Sequence, residues 1–170
     1  MLATILKRAK ATQATFAIIE TTIPSFYHSV RMEPDMVALR DWTRSWWKEE
    51  RSNYQLCTSD AVIDELETGN HPLRGEKIEL VRNLPFLEIT QAIAEIVAVY
   101  HEHRLMPKDE SGDALHLALA SFHKCDYLLT WNCKHLANAN KFGHIRRVNG
   151  LLRLSTPEIV TPLELVQENL

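Results

Sequence analysis

A chain of 170 residues, 45% hydrophobic and 24% charged, has the size and make-up of one globular domain that buries about two-thirds of its unfolded surface. Its formal net charge of −3 excludes a protein that coats nucleic acid by bulk positive charge, while leaving room for an acidic centre with a local basic rim. Three cysteines set up no disulfide framework, and no window approaches 18 apolar residues, so no membrane partner and a cytoplasmic location are expected. The start, MLATILKRAK, has a basic cluster but no apolar core or cleavage site of signal-peptide type. Residues 1–15 therefore read as a poorly ordered N-terminal extension, and 16–170 as a single domain. Phe16–Ile19 is a short apolar run that suits a buried strand, ending at Glu20 and followed by the breaker Pro24. From Pro34 to about Glu50, Met36, Val37, Leu39, Trp42, Trp46 and Trp47 recur near helical spacing, with Pro34 at a first helical position. Tyr54–Thr58 reads as a second strand, after which Ser59 or Asp60 caps a helix that carries Asp64 and Glu65 and stops at Gly69–Asn70.

Arg74–Asn83 reads as a short helix and Phe86–Ile89 as a third strand. Thr90 caps a helix running to about Arg104, with Ile93, Ile96, Val97 and Tyr100 on one face. The stretch Ser111–Ala120 is rich in Ala and Leu and predicts a helix with Asp113 in its first turn, where the positive end of the helix dipole favours a carboxylate. Tyr127–Thr130 follows as a buried strand leading to Asn132. Beyond it lie a basic segment from Lys141 to about Arg153, a last strand at Ile159–Val160 and a last short helix at Pro162–Val166. Strands alternate with helices throughout, which predicts a parallel α/β fold.

Glu20 after the first strand, Glu65 on the helix after the second, Asp113 at a helix start and Asn132 after a later strand stand where such a fold can gather them. Parallel sheets collect ligands at the carboxyl ends of their strands. Ligands that are all oxygen point to Mg²⁺ or Mn²⁺ rather than zinc. The alternative is that each acid is a solvated surface group or a helix cap, since structural acids outnumber catalytic ones.

Four stretches, ETTIPSFY from Glu20, TSDAVIDELE from Thr58, SGDALHLALAS from Ser111 and YLLTWNCKHLANANK from Tyr127, resemble the PIN-domain family in its own order, and among its members the VapC-like bacterial toxins and their uncharacterised relatives. The likeness runs from Phe16 to Leu165. It implies a PIN-like three-layer α/β/α fold with a mainly parallel central sheet, and a Mg²⁺- or Mn²⁺-dependent endoribonuclease acting on RNA as the toxin of a toxin–antitoxin pair, with an antitoxin protein as partner. On this resemblance Glu20, Glu65, Asp113 and Asn132 are the catalytic positions, and Glu20, Glu65 and Asp113 hold the metal. Thr22 and Thr130 match the supporting hydroxyls. The chain departs from the family at two of these positions, with Glu20 and Asn132 where Asp is common. That keeps a second reading beside the first, a catalytically weak or inactive PIN-like module that binds RNA or a protein.

Other residues carry weaker signals. His116, about one turn beyond Asp113, is placed to orient it or a phosphate, or else to pack at a helix–sheet seam. Lys134, Lys141, Arg146 and Arg147 are candidates for RNA phosphates, or a solvated helix face. Trp42, Trp46 and Trp47 suit base stacking less well than a core or a homodimer face. His123, Cys125, Cys133 and His135 pair at a spacing of one residue, tighter than structural zinc takes, so Cys125 reads as a small buried residue. His101 and His103 lack the spacing of a zinc-binding helix.

Overall fold

The computed structural model describes residues 14–107 and 112–166. Four strands, β1 (Phe16–Ile19), β2 (Gln55–Cys57), β3 (Tyr127–Leu129) and β4 (Glu158–Val160), form one sheet in the order β2-β1-β3-β4, every pair parallel. Around it, among the described residues, stand seven α-helices: α1 (Thr22–Tyr27), α2 (Pro34–Glu49), α3 (Asp60–Glu67), α4 (Arg74–Val81), α5 (Gln91–Glu102), α6 (Asp113–Phe122) and α7 (Ala139–Leu151). The architecture is three-layer α/β/α and fits the PIN-like arrangement expected.

Strand side chains alternate between the two faces of a sheet. Ile18, Cys57, Leu128 and Ile159 stand in register and pack with α5, α6 and α7 through Ile93, Ile96, Tyr100, Leu117, Ile145 and Val148. Ala17, Ile19, Leu56 and Leu129 turn to the other face, where Ile23, Trp46, Trp47, Val62, Leu66 and Val81 of α1 to α4 cover them. The inner residues of the strands are thus covered on both faces and are apolar, while Gln55 and Glu158 at the starts of β2 and β4 are exposed. The right-hand end of each apolar run is the carboxyl edge of the sheet, and there the sequence turns polar at Glu20, Thr58 and Thr130.

Several expectations change. Phe86–Ile89 is no strand: it makes a single bridge, Phe86 opposite Thr58, with the Thr58 N–H donating to Pro85 at 3.0 Å and Leu87 N–H donating to Thr58 at 2.8 Å. Pro85 has no N–H to extend the ladder, and the Glu88 carbonyl faces the His123 ring at 3.0 Å instead. At the expected junction of extension and domain, the Thr15 carbonyl accepts from Gln55 N–H at 2.8 Å; residues 1–13 lie outside the described residues, as does Ser111. Helix α4 stops at Val81 rather than Asn83. Helix α5 stops at Glu102 rather than Arg104, whose φ of 53° is incompatible with continuing it. The tryptophans divide: Trp46 and Trp47 are core residues at 2% and 7% exposure, so neither offers a face to a base or a second copy, while Trp42 remains 45% exposed. Among the described residues no helix is long and apolar enough to cross a membrane.

Candidate functional site

The site begins where β1 ends. Glu20 follows Ile19 directly, and its side chain is 2% exposed. Helix α1 starts two residues later, and that tight turn brings Thr22 back onto Glu20. The Thr22 N–H donates to Glu20 Oε1 at 3.0 Å, and the Thr22 hydroxyl donates to the same oxygen. The Thr22 oxygen in turn accepts from the Trp131 N–H at 2.8 Å, just past β3. Thr130, fully buried, also hydrogen-bonds Glu20, and its oxygen accepts from the Asn132 N–H at 2.8 Å. Two threonines thus tie the carboxyl ends of β1 and β3 together through one carboxylate. Burial pushes the Glu20 carboxyl up to about 7, opposed by the charge of His116 and by the Thr22 and Thr130 hydrogen bonds, which favour the ionised form.

Glu65 reaches the same edge from α3. One of its oxygens accepts from the Thr21 hydroxyl, and the other lies 3.0 Å from His116 Nε2. His116 is fully buried on α6, one turn beyond Asp113. Its burial disfavours a charged ring, but the Glu65 hydrogen bond and the charges of Glu65, Glu20 and Asp113 together outweigh this and hold its pKa above the usual range. One imidazole therefore sits within electrostatic reach of all three acids. It orients Glu65, not Asp113, because the ring points across to α3.

Gly112 makes that approach possible. It precedes α6 with φ +70°, and a Cβ there would stand 2.1 Å from Glu65 Oε1. Only glycine combines that backbone with that proximity. Asp113, the first residue of α6, is 4% exposed. Both its oxygens lie 3.0 Å from the side-chain nitrogen of Asn132. The direction of that amide is set by a second contact: Asn132 Oδ1 accepts from the backbone N–H of His135 at 3.1 Å. A backbone N–H can only donate, so the amide oxygen faces His135 and the amide nitrogen faces Asp113. Asn132 is here a donor that holds Asp113.

The structure thus brings Glu20, Glu65, Asp113, Asn132, Thr22, Thr130 and His116 into one network. No hydrogen bond or ion pair joins Lys134, Lys141, Arg146 or Arg147 to this network among the described residues. Lys134 lies exposed on the turn after Asn132, and the Lys141 ammonium reaches toward the Leu105 carbonyl at 3.5 Å. Arg146 lines a small cleft with Pro157 and Glu158 at the start of β4, the opposite edge of the sheet, and Arg147 is exposed on α7. Cys125 is buried beside Cys57, Cys133 is exposed, and His123 bonds the Glu88 carbonyl. Two members of the network were not anticipated from sequence. Thr21 was hidden behind its neighbour Thr22, and Gly112 read only as punctuation, although a glycine directly before a helix-opening acid is a signal for close approach.

The donors are hard carboxylate oxygens, the kind that Mg²⁺ and Mn²⁺ take, and Glu20 is a deeply buried acid whose charge faces one imidazole. In donor chemistry the residues fit such an ion. Among the described residues, no three His, Cys, Asp or Glu side chains already stand close enough to close on one. Comparison with protein-family models and with curated proteins finds no match to the chain.

Proposed function

We propose that the protein is a divalent-metal-dependent endoribonuclease of PIN-like type, the toxin of a toxin–antitoxin pair, acting at Glu20, Glu65 and Asp113. The observation that carries this reading is the convergence of three acids from separate segments, two of them buried, at the carboxyl edge of a parallel sheet. Glu20, Glu65 and Asp113 would hold Mg²⁺ or Mn²⁺. Bound there, such an ion supplies polarisation of a phosphodiester oxygen and an acidified water. The protein's own part is positional. Thr22 and Thr130 fix Glu20, Thr21 and His116 fix Glu65, and Asn132 fixes Asp113. His116 also places a positive charge among acids whose mutual repulsion would otherwise spread them. RNA is then the substrate, and an antitoxin protein the partner.

A second reading is supported by the same contacts. Each acid already accepts from the protein itself: Glu20 from Thr22, Glu65 from Thr21 and His116, Asp113 from Asn132. A site satisfied in this way also suits a module that keeps the fold and binds RNA or protein without cleaving. One pair of measurements separates them. Parent protein with Mn²⁺ should cleave single-stranded RNA and gain thermal stability, since an ion that binds the native state raises the melting temperature. Asp113→Asn should lose the cleavage and keep the circular dichroism spectrum. Equal cleavage by mutant and parent would refute the assignment of Asp113. A parent that neither cleaves nor responds to Mn²⁺ would favour the binding module.

A further inference from the structure

A second feature lies at the C-terminal end of α1. A cavity of about 330 Å³ opens there, lined by Ser25, Phe26, His28, Arg31, His71 and Lys77 among others. Its lining carries two lysine or arginine cations and two imidazoles. Lys77 is 8% exposed, and among the described residues no carboxylate or other acceptor pairs with its ammonium. Its aliphatic stem is buried while its ammonium reaches the solvent of the cavity. Burial pulls the Lys77 pKa down. His28 is pulled down as well, by burial first and then by the charges of Arg44 and Lys77, with Glu76 opposing. Arg31 stands at the rim, exposed and bonded to Glu33 at 3.0 Å. Glu76, Glu33 and Asp35 are thus the acids that act on the cluster, and none pairs with Lys77. The cavity thus presents an ammonium without a carboxylate partner beside two imidazole rings, a lining that suits an anion.

Its position decides which anion. Phe26 lines the cavity and meets Trp131 edge-on, ring centres 6.4 Å apart. Trp131 precedes Asn132 of the acidic network and stacks with the half-exposed Trp42 at 6.3 Å. Ring contacts through Phe26, Trp131 and Trp42 therefore connect the basic cavity to the segment that carries Asn132. Aromatic side chains that alternate with phosphate-binding cations are the equipment for a single strand with unstacked bases. We infer that this cavity is a phosphate subsite, in which Lys77, His28 and His71 hold a backbone phosphate of a single-stranded RNA flanking the acidic centre. The inference rests on the nuclease reading for the identity of the strand. An acidic segment of a protein would also satisfy Lys77, but would leave the aromatic rings without a purpose.

The test is binding without cleavage. Anisotropy of a fluorescein-labelled single-stranded oligoribonucleotide is followed in EDTA with parent protein, Lys77→Met, Lys77→Arg and His71→Gln, over a range of salt. Lys77→Met should weaken binding about tenfold, and the slope of log K against log salt should fall by about 0.7, the loss of one phosphate contact. Lys77→Arg should keep most of the affinity. His71→Gln, at an exposed position that leaves folding intact, should weaken binding about threefold. Inorganic phosphate should compete with the oligomer for parent and not for Lys77→Met. Parent affinity and salt slope retained in both Lys77→Met and His71→Gln would overturn the subsite. An acidic peptide that binds in a Lys77-dependent way while RNA does not would overturn the choice of RNA. Lys77-dependent RNA binding by a parent that never cleaves with Mn²⁺ would uphold the subsite and remove the nuclease reading, so the two can fail separately.

Discussion

Glu20→Gln should make the protein more stable at alkaline pH and less sensitive to pH. The carboxyl lies at about 7 in the folded state against an ordinary 4.5, so between these values the native state holds a proton that the unfolded state has released. Stability falls with pH wherever the native state binds more protons. The contribution of Glu20 is therefore favourable below about 4.5 and lost as pH rises through about 7. Moving a carboxyl that far is worth about 3 kcal/mol at roughly 1.4 kcal/mol per pH unit. His116 acts in the same direction: its raised pKa gives stability that is full below its ordinary 6.5 and lost as the ring deprotonates. A neutral Gln keeps an acceptor for Thr22 and carries no charge to bury. Urea unfolding of parent and mutant from pH 5 to pH 8.5 measures the difference. The two should be close at pH 5 and separate by about 3 kcal/mol in favour of the mutant at pH 8. Parallel curves would refute the reasoning, because a carboxyl that ionises at no cost is not the buried acid described here.

Two further substitutions probe the same network. Gly112→Ala should cost about 2–3 kcal/mol by urea unfolding, since φ +70° disfavours alanine and the new methyl carbon would collide with Glu65 Oε1; the loss should be smaller in a Glu65→Ala background, which removes the colliding oxygen. Asn132→Asp sets a second carboxylate against Asp113 where an amide donated, so the metal-free protein should lose about 1–3 kcal/mol at neutral pH while Mn²⁺ binds more tightly by calorimetry. Unchanged Mn²⁺ affinity would show that Asn132 stands apart from any metal-binding group.

The sheet was legible because its strands are buried on both faces, and a run such as Phe16–Ile19 has few other places to go. Pro34 marked the start of α2 by the same local logic. Phe86–Ile89 misled because it has the right composition but a proline at its head, and pairing is a property of two segments. At the site, the position of an acid just past a strand or at a helix start follows from the chain, and Glu20 and Asp113 stand there. The partner of a side chain does not follow. His116 is one turn from Asp113 in sequence, yet its ring goes to Glu65, because α3 lies across from it and Gly112 leaves the gap. The Asn132 amide is turned by a backbone N–H three residues on. Trp42 and Trp46 have a helical spacing that suits a core or an interface, and only the fold shows that the sheet takes Trp46 and Trp47 and leaves Trp42 half-exposed.

The charge count of the site links its pH response to its chemistry. Three carboxylates face one imidazole, so even a fully charged His116 leaves a net negative centre in a region shielded from water. Such a centre can be neutralised by retaining a proton, and Glu20 is the acid best placed to keep it, being the deepest. It can equally be neutralised by a cation, which would favour the ionised form of the same carboxyl. On the proposed metal reading, protons and Mn²⁺ would compete for Glu20, and any stabilisation by Mn²⁺ should grow from pH 6 to pH 8 as the proton leaves. In Glu20→Gln that growth should shrink to the part that His116 deprotonation contributes, because the carboxyl through which the two ligands compete is gone.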